Sequence, residues 1–175
     1  MKRIEWENHG STHDWLMQPR GSTSLFVSNK VTRNLITTEQ HKRNAIFEVN
    51  QQMILAGLYA GGFFESAAFY GGTCLRIFHG LQRFSEDMDF SLLAQDDKFD
   101  FTKYFPAIID AFAMVGSEVE IKIKVDTCPP LNFQTEQKLL LQPYSFMSRC
   151  FTLPDLFAGK SYSRRNSLSV SLQLI

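Results

Sequence analysis

The three cysteines, Cys74, Cys128 and Cys150, are odd in number and widely spaced, with no Cys-x-x-Cys pair. That spacing argues against a structural zinc site and a disulfide framework, so reduced thiols are the expectation. An excess of charge is also missing, because 18 basic and 18 acidic residues leave a formal net charge of zero. A global electrostatic footprint for nucleic acid or an anionic membrane is therefore excluded, whereas a local basic groove is not. Long apolar runs are absent too: the most apolar window, 53–72, is interrupted by Gly61-Gly62 and Glu65 and makes a poor membrane span. The opening "MKRIEWENHGSTHDW" has no apolar secretory core. Together these features predict a cytoplasmic protein without a membrane partner. No Gly-x-Ser-x-Gly elbow, Walker loop or dinucleotide fingerprint occurs, and His9, His13 and His41 lack metal-ligand spacing.

What remains is an ordinary globular composition over 175 residues, long enough for one domain with a real core. Phenylalanine is over-used, at 16 residues, which points to aromatic packing. Residues 1–36, rich in Gly, Ser, Thr and His, read as an N-terminal arm. Thr37 with Gln40 fits a capping box. Ala45, Ile46, Val49, Met53 and Ala56 then recur at helical spacing until Gly61-Gly62, which predicts one long amphipathic helix.

Beyond it, "AAFYGG" reads as a short strand, "TCLRIFHGL" as a short helix closed by Gly80, and "MDFSLL" as a second strand. Tyr104, Phe105, Ile108, Ile109 and Phe112 give a helix face, with Asp100 or Thr102 as its cap. "VEIKIKVD" alternates as a strand, and "LPDLFAGK" starts a last helix with Leu153, Leu156 and Phe157 as its stripe. Residues 161–175, five of the last fifteen being serine, read as an atypical, poorly packed tail after a core domain at 37–160. The expectation is a mixed α/β domain in the order helix, strand, short helix, strand, helix, strand, helix.

One segment stands apart: "FYGGTCLRIFHGLQRFSEDMDF", residues 69–90. Residues two apart on a strand share a side, so Asp87 and Asp89 project together while Met88 and Phe90 face the core. Two adjacent carboxylates need a neutralising cation, and Mg²⁺ prefers such oxygen ligands and shares its shell with phosphates. Asp126, at the end of its strand, is the candidate third ligand. The bland alternatives are a solvated strand face for the pair and a turn cap for Asp126.

Gly71-Gly72-Thr73 precedes a helix, where backbone N–H groups and the helix dipole favour an anion. Thr73 either caps that helix or adds a hydroxyl to the phosphate. Arg76 and Arg83 would offset phosphate charge, the alternative being surface ion pairs, and Ser85 offers a hydroxyl. His79 reads as a packing or surface residue rather than a base.

These residues resemble the core of the AbiEii nucleotidyltransferases, toxins of type IV toxin–antitoxin and abortive-infection systems. That family lies within the DNA polymerase β-like nucleotidyltransferase superfamily. "GGT", "LR" and "RFSEDMDF" carry the resemblance, which extends through "IKVDTCPP" and "LPDLFAGK" and covers roughly residues 40–160. It implies an α+β fold with a small mixed sheet and flanking helices. It also implies that Gly71, Gly72 and Thr73 form the phosphate-side motif, and that Ser85, Asp87 and Asp89 form the metal and nucleotide motif. Lys160 matches a lysine that helps to hold the nucleotide, and Asp126 falls near the third acid.

The function implied is transfer of a nucleoside monophosphate from an NTP, with Mg²⁺, to a hydroxyl of RNA such as tRNA or of a protein. A cognate antitoxin is the implied protein partner. Family members continue into a helical region with an Arg-Asp-x-Tyr-Asp type motif, whereas here "SYSRRNSLSVSLQLI" follows the lysine. That departure makes a truncated, inactive nucleotide- or antitoxin-binding relic the alternative, with weak or absent transfer and self-association as expectations. A metal-dependent nuclease is disfavoured, because a Gly-Gly-Thr turn suits a bound polyphosphate better than a water nucleophile.

Overall fold

The structure, a computed structural model, describes residues 38–113, 119–158 and 167–174. The expected arm at 1–36 and Lys160 lie outside the described residues. Helix α1 spans Glu39–Ala60. Its cap is Thr38 rather than Thr37: the Thr38 hydroxyl accepts the His41 N–H at 3.2 Å. Gly61 closes the helix, as expected. The second half of the helix is not amphipathic, because every residue from Asn50 to Leu58 is buried. Gly57 helps to explain this burial. A Cβ there would lie 2.7 Å from the Ile108 Cα, so the helix carrying Ile108 crosses α1 with backbone nearly touching backbone.

A 3-10 turn at Phe63–Glu65 leads into β1, Ala67–Tyr70. Helix α2 runs Gly71–His79 and ends at Gly80, whose φ of 70° is the left-handed cap expected there. Strand β2 is Met88–Leu92. A second 3-10 turn, Thr102–Tyr104, precedes α3, Phe105–Ala113. Asp100 accepts the Thr102 N–H at 2.8 Å and its hydroxyl at 2.7 Å, and these bonds hold the Asp100 carboxyl below its ordinary value. Strand β3 is Val119–Asp126, β4 Thr135–Leu140, β5 Phe146–Phe151, helix α4 Leu153–Ala158 and strand β6 Ser167–Leu174.

The six strands form one mixed sheet in the order β4-β5-β1-β2-β3-β6. Strands β1 and β5 are parallel, as are β2 and β3, and the other neighbours are antiparallel. The fold is therefore the small mixed sheet with flanking helices that was expected, with three strands, β4, β5 and β6, beyond the predicted order. Within the expected tail, residues 167–174 form strand β6. That segment pairs with β3 along its full length, from Val119↔Leu174 to Asp126↔Ser167.

Helix α2 and the 3-10 turn at Phe63–Glu65 pack on one face of the sheet. Phe69, Phe90 and Cys150 share that face by register and alternation. Phe69 meets Phe78 of α2, and Phe90 meets Phe63 edge-on with ring centroids 5.1 Å apart. Phe63 in turn touches Phe101 and Tyr104, so an aromatic cluster joins the sheet to the α3 region. The phenylalanine excess is spent here. Among the described residues no helix is long and apolar enough to cross a membrane.

Cys74 and Cys150 meet inside the α2–β5 contact, both fully buried. Burial pushes the Cys74 thiol well above its ordinary value, and its hydrogen bond with Cys150 adds to this. Cys128 is only partly buried. A thiol reagent applied to the native chain should therefore modify Cys128 first, leaving Cys74 and Cys150 protected until the chain unfolds. Rapid native-state labelling of Cys74 or Cys150, read by peptide mass spectrometry, would contradict this packing.

Candidate active site

Alternation along β2 separates two chemistries. Met88 and Phe90 point into the helix-covered face and are fully buried. Asp89 and Ser91 point to the opposite face, with Lys124 and Asp126 beside them, since β2 and β3 pair Asp89↔Lys124 and Ser91↔Asp126. Asp87 lies just before the strand, and its carboxylate forms an ion pair with the Lys124 ammonium. Lys124 thus stands between the two acids, across the sheet from one and in contact with the other.

The glycines are seated against this group. Gly71 follows Tyr70, the β1 residue in register with Asp89, and has a φ of 82°. A Cβ on Gly71 would intrude on the Asp89 carboxylate and lie 3.0 Å from the Asp89 Cβ. At Gly72 a Cβ would lie 3.1 Å from the Ser85 hydroxyl. The first turn of α2, whose leading N–H groups have no acceptor inside the helix, is therefore set beside Asp89 and Ser85. Such a cradle of hard oxygen donors beside helix N–H groups fits a Mg²⁺ ion shared with phosphates.

Segment 85–87 is fastened from below. Thr73, fully buried, donates its hydroxyl to the Asp87 carbonyl at 2.5 Å and lies 3.3 Å from the Ser85 carbonyl. Gln51 of α1, also fully buried, donates its amide to the carbonyls of Ser85 at 2.9 Å and Glu86 at 3.2 Å. Thr73 is thus neither a helix cap nor an exposed phosphate ligand; it sits inside α2, and its hydroxyl is committed to the acid-bearing loop. Replacing it by Val should leave the fold intact but loosen residues 85–87. The measurable result is faster amide exchange in 85–89 and a stability loss of about 1 kcal/mol. Unchanged exchange in Thr73→Val would remove Thr73 from this role.

Arg76 also departs from expectation. Its guanidinium bonds Glu48 at 2.9 Å and the carbonyls of Leu81 and Gln82, and it stacks over Phe84. Those bonds use it to clamp the 81–84 loop to α1, away from the phosphate side. Arg83 is exposed and makes no ion pair among the described residues. His79 ends α2, at the opposite end of the helix from Gly71.

Asp126 falls on the acids' face but two residues further along, about 8 Å from Asp89 between Cα positions by strand spacing. Its carboxylate accepts the Cys128 N–H at 3.1 Å, the turn-capping role weighed against metal binding. Among the described residues no three His, Cys, Asp or Glu side chains are grouped to hold a metal ion. The expected set of Asp87, Asp89 and Asp126 is not assembled here. A cleft of about 680 Å³, lined by Leu93, Cys128, Pro129, Pro130 and Phe133, opens at the other end of the β2–β3 pair and contains none of the expected site residues.

Sequence reasoning missed Gln51 and the placement of Lys124. The alternation in "VEIKIKVD" puts Lys124 on the polar face, but only the β2–β3 register sets it across from Asp89.

Residues 53–125 match the family model described as nucleotidyl transferase AbiEii toxin, type IV TA system. That segment is AbiEii-like. It holds the glycines, the loop at 81–87 with Asp87, Asp89 of β2, and Lys124, and it spans less than half of the 175 residues. The Pro-Pro and Gly-Lys elements included in the wider resemblance fall outside the match. Comparison with curated proteins and with solved structures gave no match.

Proposed function

We propose that this chain is a nucleotidyltransferase-type toxin that moves a nucleoside monophosphate from an NTP to a hydroxyl of RNA or protein. The observation that carries the reading is the close seating of Gly71 on Asp89, inside the AbiEii-like segment. The α2 N–H groups and Gly71-Gly72 would receive the outer phosphates, with Ser85 adding a hydroxyl. Asp87 and Asp89 would hold Mg²⁺, which when bound supplies neutralisation of the phosphate charge. Arg83, exposed beside the loop, is the arginine left to meet phosphate, and Lys160 would join it by resemblance.

In the reaction the acceptor oxygen attacks the α-phosphorus, the bond from that phosphorus to the bridging oxygen breaks, and pyrophosphate leaves. The acceptor proton passes to water. The chain's contribution is alignment of the NTP and a fixed electrostatic surround. The family implies an antitoxin partner. The exposed Leu153 and Phe157 side chains of α4 suit that antitoxin or a second copy of this chain. A cytoplasmic location fits this reading.

The test is incubation of the chain with each labelled NTP, Mg²⁺ and total RNA. Label appearing on RNA, or on protein, supports transfer and identifies the acceptor class. Binding of NTP without any transfer would favour the alternative, a nucleotide- or antitoxin-binding relic.

A further inference from the structure

Among the described residues, Lys124 is the one cation seated between the groups assigned to the metal and the phosphates. Its ammonium pairs with Asp87, with 22% of the Lys124 side chain and 38% of the Asp87 side chain exposed. Its backbone is in register with Asp89. The acid pair therefore comes with its own counter-charge, supplied by the neighbouring strand, before any divalent ion arrives. A lysine stem is flexible and its charge compact, so the ammonium can leave a carboxylate without moving the sheet.

We propose that Lys124 competes with the divalent cation for Asp87 and so keeps the nucleotide-free site weak for metal. The metal is then retained only when an NTP comes with it, and the displaced ammonium turns to a phosphate oxygen. This rests on the nucleotidyltransferase reading above. It follows from elementary electrostatics: a divalent ion entering beside Lys124 must break an existing ion pair and meets a positive charge a few ångströms away. It gains only what the two carboxylates give in excess of that. An NTP changes the sum, because its phosphates supply oxygen ligands to the ion and a new acceptor to the ammonium at the same time. Lys124 is thus a charge-setting residue that acts through Asp87, distinct from the residues that would hold the ion.

The test is a Mn²⁺ titration of the 175-residue chain without nucleotide, following free Mn²⁺ by electron paramagnetic resonance at fixed pH and ionic strength. Lys124→Met should bind Mn²⁺ about tenfold more tightly than the unaltered chain, from removal of one nearby positive charge. Lys124→Arg should remain as weak as the unaltered chain. Adding a non-hydrolysable NTP analogue should tighten Mn²⁺ binding in the unaltered chain by a larger factor than in Lys124→Met. Lys124→Gln serves as a second neutral variant, and thermal melts show which variants are folded.

Equal Mn²⁺ affinity in the unaltered chain and in a folded neutral variant would overturn the proposal if that affinity still falls in Asp89→Asn. If Asp89→Asn changes nothing in either background, the acid pair is not the metal site, and the broader functional reading fails instead.

Discussion

Gly71→Ala should destabilise the chain by about 2–5 kcal/mol and abolish NTP binding. Two costs combine at that position. The φ of 82° is a conformation that an L side chain adopts only at a penalty of about 1–2 kcal/mol. The added carbon also intrudes on the Asp89 carboxylate, which is itself buried and has little room to retreat. Forcing a methyl group into such a contact costs about 1–3 kcal/mol more and displaces the acid. Gly80 separates the two effects, because it has a φ of 70° and a Cβ added there would meet nothing within 4 Å. Gly80→Ala should show the conformational cost alone and leave nucleotide binding intact. Chemical denaturation of both variants, with calorimetry for NTP, checks this. Equal losses at the two glycines would mean that Gly71 is an ordinary turn residue.

The legible parts of the fold are those in which local pattern and tertiary outcome agree. The segment from Ala67 to Leu92 reads correctly as strand, helix and strand, because its apolar runs are bounded by Gly71-Gly72 and by Gly80. Strand β3 reads correctly because its alternation has no interruption. Strand β4 is hidden for a physical reason: at the sheet edge, Thr135, Glu136, Gln137 and Lys138 show no apolar face, as a protected edge requires. In β5 the inward position Ser148 breaks the apolar alternation although it is fully buried.

Strand β6 carries a signal that is easily passed over. "SLSVSLQL" alternates with period two, and the loss of helical periodicity masks that pattern. Of the site, the glycines and the acid pair are readable, since glycine at a strand–helix junction and acids two apart are local patterns. The roles of Thr73, Arg76 and Asp126 depend on which carbonyl, carboxylate or N–H the fold brings to each. Gln51 gives no signal at all, because a buried glutamine in a helix looks like any surface glutamine until α1 is found packed on the 85–86 loop.

Asp89→Asn should remove nucleotide transfer by a factor of about 10²–10³ or more while leaving the chain folded, and the contrast between those two readouts is the point of the substitution. The amide keeps the shape of the carboxylate, so the seat of Gly71 against residue 89 is preserved. It removes the charge of a side chain that is 5% exposed. The readout is therefore the shift that ligand adds to each variant's own melting temperature. A ligand at 100 times its dissociation constant stabilises the native state by about 2.7 kcal/mol, a gain that requires the acid pair and should vanish in Asp89→Asn. His79→Ala, at the far end of α2, should retain the full ligand-induced shift and serves as the matched control. An Asp89→Asn chain whose melting temperature still rises with Mg²⁺ and NTP as much as that of His79→Ala would remove Asp89 from the nucleotide site.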